Sequence, residues 1–451
     1  MRWDGGVGPR PIRRLEVLAD GTVQQQSAIT GTVVWTVPGR ANRPTPSALP
    51  APRPLPAEGR EAVCAFCPAR YRETPPEKAR LLLDPTGPAG VPPWQVLRDL
   101  PAEALDSTVA DFRRIPNLFE ILPLEYWQAN HGYVVPDEAQ ARAADYLSSA
   151  VGREHVLAIK RARLRAGGAT AEEAAAIPDQ VLLERAISLF AGGHDVIVAR
   201  RHHVDGATAD NELCSSGDLT PDEHAAFLTF TVGALHELAT SSPFVRYVSV
   251  FQNWLRPAGA SFDHLHKQLV AIDELGPLMD RIELMLEEEP ELFGTALADP
   301  AAHDRLVIAE NAHAIALAGV GHRYPTIEIL STAQANRPWE HDTGQLRGIS
   351  DLLHACHAAT GRLVPTNEEW HYRPVGSEHA MPWRILLKWR VSTLAGFEGG
   401  TKINVNTISP FTLRERLVAH LTQLRDRGRI GDVRVGDECS HRLGVLKYTE
   451  C

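Results

Sequence analysis

The chain has 451 residues, enough for two domains of ordinary size and an ample core, and shows no repeat of solenoid length. Its net charge of -10 and pI near 6.0 argue against a partner held by a basic surface, so nucleic acid is not expected, although a few arginines in a pocket can hold a small anion. No apolar run approaches membrane-spanning length, and the start, MRWDGGVGPRPIRR, lacks an apolar signal core; the expectation is a soluble, cytoplasmic protein with no membrane partner.

In chain order, residues 10 to 38 alternate as strands do, with a turn at Ala19-Asp20-Gly21 and the strand GTVVWTV. Residues 44 to 60 are proline-rich and irregular, as are 85 to 93. The six cysteines sit at 64, 67, 214, 356, 439 and 451, and only Cys64 and Cys67 are close, in VCAFCPAR. A CxxC reads as half a zinc site or as a redox pair. The redox pair opens a helix after a strand, and the proline-rich approach ALPAPRPLPAEGREAV has no strand pattern, which favours metal.

RRIPNLFEIL reads as a short extended segment ending at Pro123, and residues 136 to 190 carry helical patterns. HDVIVARRHH is a strand ending in a basic, histidine-rich turn. DLTPDEHAAFLTFTVGALHELA is a helix with Thr220 as N-cap and Pro221 at its first position. YVSVFQN is a strand, LRPAGAS a glycine-containing loop, and FDHLHKQLVAID the next strand. The second half repeats the order loosely: strand YPTIEIL, helix LRGISDLLHACHAA, strands around EEWHYRPV and WRILLKWRV, and a helix capped by Ser409 with Pro410 after it and Gly428 closing it. Strand, helix and paired strands in each half predict an α+β protein of two related lobes.

In FDHLHKQ, alternation puts His264, His266 and Gln268 on one face of a strand and the leucines on the other. Imidazole there can be a metal ligand, a base or a nucleophile, and an isolated HxH is also common as a packing pair. Zinc takes four tetrahedral cysteine and histidine ligands; Cys64 and Cys67 offer two, His264 a third, and His202 or His203 a fourth.

Taken together these segments resemble the galactose-1-phosphate uridylyltransferase branch of the histidine-triad superfamily. VPGRANRP, with Arg40 and Arg43, matches that family's paired-arginine segment, Cys64 and Cys67 its CxxC, and Asn117 its asparagine after an extended segment. HDVIVARRHH matches its strand ending in a zinc ligand, where the register selects His203. QNWLRPAGASFDHLHKQ keeps the mutual spacing of Asn253, Gly259, Ser261, His264, His266 and Gln268.

The resemblance implies two histidine-triad-like lobes, each an antiparallel sheet with flanking helices: residues 1–290, with insertions near 70–110 and 125–185, and residues 291–451. It implies one structural Zn2+ on Cys64, Cys67, His203 and His264, and His266 as the nucleophile that takes a nucleoside monophosphate from a nucleotide sugar and passes it to a sugar phosphate. Gln268 and Ser261 would donate to phosphoryl oxygens, Arg40 and Arg43 would clamp phosphates, and Asn117, Asn253 and the Gly259 loop would position the nucleotide. A homodimer is expected, because the family's active site borrows from a neighbouring subunit.

The chain departs from that pattern in its second half, where AMPWRILLKWR carries Pro382 and Arg384 in place of a second HxH, so a second metal is not expected and His371 reads as a packing or capping residue. AGFEGGT is similar to the family's sugar-contacting strand, which makes Glu398 a candidate for acceptor hydroxyls or a merely structural glutamate. Lys267 replaces a small residue and should point away from the catalytic face, and Leu118 stands where some members carry an acid. These departures put galactose specificity in doubt more than the chemistry. The competing readings are a dinucleoside-polyphosphate phosphorylase that uses inorganic phosphate and a non-catalytic zinc-stabilised nucleotide-binding protein.

Overall fold

Runs of β-branched and aliphatic residues, separated by glycine and proline turns, fold into sixteen strands among the described residues. The computed structural model describes residues 14–40, 51–55, 60–84 and 93–449; Arg43 lies outside them. The strands are β1 (Leu15–Val17), β2 (Val23–Gln26), β3 (Val33–Thr36), β4 (Ala79–Leu83), β5 (Trp94–Arg98), β6 (Phe112–Pro116), β7 (His194–Ala199) and β8 (Tyr247–Trp254). They continue with β9 (His266–Ile272), β10 (Val307–Glu310), β11 (Ala314–Ala318), β12 (Thr326–Ser331), β13 (Thr366–His371), β14 (Arg384–Trp389), β15 (Ile403–Asn406) and β16 (Arg434–Val435).

Twelve of them form one antiparallel sheet in the order β16-β10-β11-β12-β14-β13-β8-β9-β7-β6-β4-β5. Outward from the β8–β13 junction, the first half runs β8, β9, β7, β6, β4 and the second β13, β14, β12, β11, β10. In chain order within each half both read fourth, fifth, third, second, first. The two halves thus repeat one antiparallel arrangement and share a continuous sheet, and no helix among the described residues is long and apolar enough to cross a membrane. A separate four-stranded sheet, β1-β2-β3-β15, joins the N-terminal strands to the late β15, which runs parallel to β3.

One face of the large sheet is covered by the Pro221–Thr240 and Thr343–Thr360 helices, which occupy equivalent places before β8 and β13. Both begin with capping boxes, Thr220 with Glu223 and Asp342 with Gln345, and the first has Pro221 in its opening turn, where the missing N–H costs nothing. Their apolar stripes pack with Leu269, Ile197 and Val250 into the main core. A helical insertion spans residues 124–191 and has its own small core around Tyr146, Val156 and Phe190. It docks on the first half through Tyr146 Oη donating to His155 Nδ1 (2.6 Å), whose Nε2–H donates to the Thr74 carbonyl (2.9 Å). AGFEGGT, expected as a strand, is instead a short helix, Gly396–Thr401: Glu398 accepts from the Ala395 N–H and closes a helical turn, and the next strand starts only at Ile403.

Candidate active site and metal centre

β9 begins at His266, so His266 and Gln268 keep the alternation of a strand, while His264 lies in the bend just before it. That bend frees the His264 ring to turn toward the cysteines. Its Nε2–H donates to the carbonyl of Ala199 at the end of β7 (2.6 Å), which commits Nδ1 as the lone-pair nitrogen. Fixing a ligand imidazole through its other nitrogen in this way is the usual support of a metal site.

Four residues, Cys64, Cys67, His202 and His264, bring one ligand atom each within 4.8 Å of one another. The two sulfurs are 3.8 Å apart, and the Sγ to Nδ1 distances run from 3.4 to 3.8 Å. A zinc tetrahedron with bonds of ~2.3 Å to sulfur and ~2.0 Å to nitrogen has edges of about 3.8 Å and about 3.5 Å, so the donor set fits such an ion in both chemistry and size. Hydrogen bonding from Cys64 pulls the Cys67 thiol well below its ordinary range.

The histidine selected by register is therefore corrected: His202, not His203, completes the cluster. His203 is held by a β-bridge to Leu213, with its ring stacked on that of His202 at 4.6 Å and its Nδ1 without a partner. The bridge sets the backbone register of this turn, and of the two stacked rings it is that of His202 that reaches the cysteines.

His266 is 5 % exposed. Its Nδ1 lies 2.7 Å from the carbonyl of His264; a carbonyl only accepts, so Nδ1 carries the proton and Nε2 keeps its lone pair. Burial pushes its pKa down to about 4, which keeps the ring neutral at physiological pH. Phe66, from the loop between the two cysteines, sets the edge of its ring against His266 at 5.3 Å and pairs with Phe262 at 4.5 Å. Phe66, Ile115, Val196 and Val198 make an apolar patch on the same side of the sheet.

Gln268 and Asn117 are hydrogen-bonded to each other (3.3 Å), and both contact the buried His194 of β7. Asn253 on β8 meets Asn367 on β13 across the junction of the halves (2.6 Å). Gly259 ends the turn Arg256–Ala258 with φ +92°, a conformation in which a side chain would be strained, and a Cβ there would stand 3.9 Å from Asn253 Nδ2. Leu255 opens the same loop at φ 65° without glycine's freedom, a strained start of the kind that clusters at functional sites. Ser261 sits exposed in that loop.

The remaining candidates lie apart. Arg40 is exposed at the end of the turn after β3, and Glu398 caps its own short helix beside it, where Phe397 meets Trp35 at 6.5 Å between ring centroids. Among the described residues no hydrogen bond or ion pair links either to β9. Lys267 points away from the face that carries His266 and is fully buried, paired with Glu368 of β13 at 2.5 Å. His371 lies 3.7 Å from Glu369, near Arg384, which is paired with Glu328 at 3.2 Å. Sequence reasoning passed over His194, Asn367 and Arg390. Only His194, two positions before Val196 on a strand, had a usable sign: its parity matches the face that carries His266.

Fold and site define an α+β protein of two repeated antiparallel halves, with a cysteine–histidine cluster of metal-binding geometry beside an HxHxQ strand. The chain belongs to the family described as "Domain of unknown function (DUF4921)", whose model matches residues 18–448. Its structure is similar to an ADP-glucose phosphorylase from Arabidopsis thaliana with bound ADP-glucose, at a TM-score of 0.54 and 18% identity over 88% of this chain and 97% of that one. A GalT-like protein from the same organism is similar at a TM-score of 0.54 and 17% identity, over 88% and 98% of the two chains. In sequence it is 25% identical over 175 residues to an ADP-glucose phosphorylase of Arabidopsis thaliana, covering 37% of this chain and 50% of that relative. That alignment thus spans half the length of the curated relative. The shared fold is the galactose-1-phosphate uridylyltransferase-like one, and the fold resemblance drawn from the sequence stands.

Proposed function

We propose that the protein is a nucleotidyltransferase that takes a nucleoside monophosphate from a nucleoside-diphosphate sugar through a nucleotidyl-His266 intermediate. The observation that carries this reading is the His266 tautomer: Nδ1–H is tied to a backbone carbonyl and Nε2 is left with a free lone pair. In the first step Nε2 forms a bond to the α-phosphorus and the bond to the β-phosphate oxygen breaks, releasing a sugar 1-phosphate. In the second, an acceptor phosphate oxygen attacks the same phosphorus and the bond to Nε2 breaks. Gln268 and Asn253 would donate to the non-bridging oxygens, and the Gly259–Ser261 loop would follow the phosphates. Phe262, exposed and paired with the Phe66 ring, offers a flat apolar surface of the kind a nucleobase needs.

Cys64, Cys67, His202 and His264 would hold Zn2+, which as a closed four-ligand site supplies structure: it pins the bend before β9 and so fixes His266 two residues on. A division into two lobes near residue 290 agrees with the repeated strand order. Arg40 and Glu398 would reach a site only from outside the β9 neighbourhood, which supports a homodimer in which they serve the partner.

Inorganic phosphate is the acceptor supported by the likeness to an ADP-glucose phosphorylase, and a hexose 1-phosphate is the competitor. The test is product analysis with ADP-, UDP- and GDP-glucose, each with phosphate or galactose 1-phosphate. Nucleoside diphosphate formed only with phosphate supports phosphorolysis; a new nucleotide sugar supports transfer between sugar phosphates; no product with any pair contradicts the reading.

A further inference from the structure

Two side-chain amides flank His266, and each can face a phosphoryl group with its oxygen or with its NH2. Only the NH2 is useful there. The hydrogen-bond chains around them decide the matter, because each ends on a group that can only donate or only accept. The Ile121 N–H donates to His194 Nδ1 (3.3 Å), so His194 carries its proton on Nε2 and donates to Gln268 Oε1 (3.1 Å). The Phe119 N–H donates to Asn117 Oδ1 (2.8 Å), so Asn117 turns its Nδ2 to the same Gln268 oxygen (3.3 Å); Asn117 Nδ2 and His194 Nε2, 3.0 Å apart, are then two donors converging on that one acceptor. The Gln268 carbonyl is thereby occupied twice and its NH2 is left over.

The other side closes by the same logic. Arg390 Nη1 donates to Asn367 Oδ1 (2.6 Å), which leaves Asn367 Nδ2 to donate to the Ala258 carbonyl (2.8 Å) and to Asn253 Oδ1 (2.6 Å). Asn253 therefore keeps its NH2 free as well. Asn367 stands opposite Asn253 in the β13–β8 register, and the β8–β9 register, whose last pair is Phe251 opposite Gln268, gives Asn253 the same parity as His266. Asn367, Asn253 and His266 therefore share one face of three neighbouring strands.

We propose that His194 and Asn367 are positioning residues that lock the Gln268 and Asn253 amides with both NH2 groups toward the phosphoryl group attacked by His266. The proposal rests on the reading of His266 as the nucleophile. It gives the second half of the chain, through Asn367 and Arg390, a part in organising a site whose reacting groups all lie in the first half. Asn367 belongs to none of the motifs that carried the family resemblance, and His194 opens the HDVIVARRHH segment without a role assigned to it there.

The test is a pair of double-mutant cycles on the rate of nucleotide transfer. His194→Phe, which keeps a flat ring, and Asn367→Leu should each slow transfer by roughly 10- to 100-fold, the range for a lost or misdirected phosphoryl donor. Repeated in Gln268→Ala and Asn253→Ala backgrounds respectively, each should cost nothing further, whereas a merely structural role would cost the same factor in both backgrounds and overturn the proposal. Asn367→Asp, isosteric and still able to accept from Arg390, should fold and yet invert Asn253, giving the same loss; unchanged rates there would also overturn it. His194→Gln, which can still donate, should recover part of the rate. If the wild type transfers no nucleotide, the nucleophile reading fails separately, and the lock is read from unfolding cycles: coupling in both pairs upholds it and additivity overturns it.

Discussion

His202 and His203 are neighbours in a turn that leaves β7, yet the two imidazoles have opposite fates. The Cys214 N–H donates to the His202 carbonyl (3.0 Å) and the bridge to Leu213 holds His203, so the backbone at this point is set by contacts with residues 213 and 214. His202 is left facing the sulfurs. His202→Ala should lose bound metal while His203→Ala retains it, read as moles of zinc per mole of purified protein; equal loss in both would place the fourth ligand elsewhere. The CxxC and the HxHxQ could be singled out by their spacing, and only the family resemblance joined them into one site. The choice between adjacent histidines was not legible, because it depends on a one-residue register held by a bridge to a loop.

At the scale of the element, β9 is held from both faces. On the helix-covered face Lys267 Nζ reaches Gln252 of β8 (3.1 Å) and Glu368 of β13 (2.5 Å), and Glu368 also accepts from Trp370 Nε1 (2.6 Å) and is bonded to His357 Nε2 (2.7 Å). Burial alone would raise the Glu368 pKa, but Lys267 and His357 outweigh it and hold the carboxylate ionised. This rung lies one residue along from His266, so the strand that carries His266 is tied to the second half by a dry ion pair. Lys267→Met should strand that carboxylate and destabilise the protein by on the order of 3–5 kcal/mol, while Lys267→Met with Glu368→Leu should regain most of the loss, since an apolar pair avoids the cost of desolvating charge. Chemical denaturation of the three proteins checks this, and a single variant as stable as wild type would mean that the pair carries no structural load. Alternation in FDHLHKQ already turned Lys267 away from the face of His266 and Gln268. Its partner could not be seen, because Glu368 meets it only through pairing between strands about 100 residues apart in sequence.

The whole molecule is two repeats of one antiparallel arrangement that have diverged in their chemistry. In the second half, the place of an HxH is taken by Arg384, which with His322 surrounds the buried Glu328, at 3.2 and 2.8 Å. Burial would raise Glu328, yet His322, Arg384 and Arg14 together bring it down to about 2 from an ordinary 4.5. A carboxylate depressed in the folded state contributes stability that is complete above its unfolded pKa and lost as pH falls through its folded one. This half should therefore lose on the order of 3 kcal/mol between about pH 4.5 and pH 2. Glu328→Gln should flatten that acid limb in unfolding measured against pH, and an unchanged limb would assign the acid sensitivity to other groups. The α+β class and the repeat of halves could be read from strand and helix patterns. The single continuous sheet could not, because the β8–β13 pairing that fuses the halves leaves no periodic trace in either segment.

On the proposed mechanism His266 becomes covalently nucleotidylated, and intact mass after incubation with ADP-glucose, beside UDP- and GDP-glucose, tests this most directly. A wild-type protein that gains one nucleoside monophosphate, located on His266 by peptide mapping and absent from His266→Ala, is the predicted result. An adduct that persists in His266→Ala, or turnover of the donor by that variant at the wild-type rate, would contradict it.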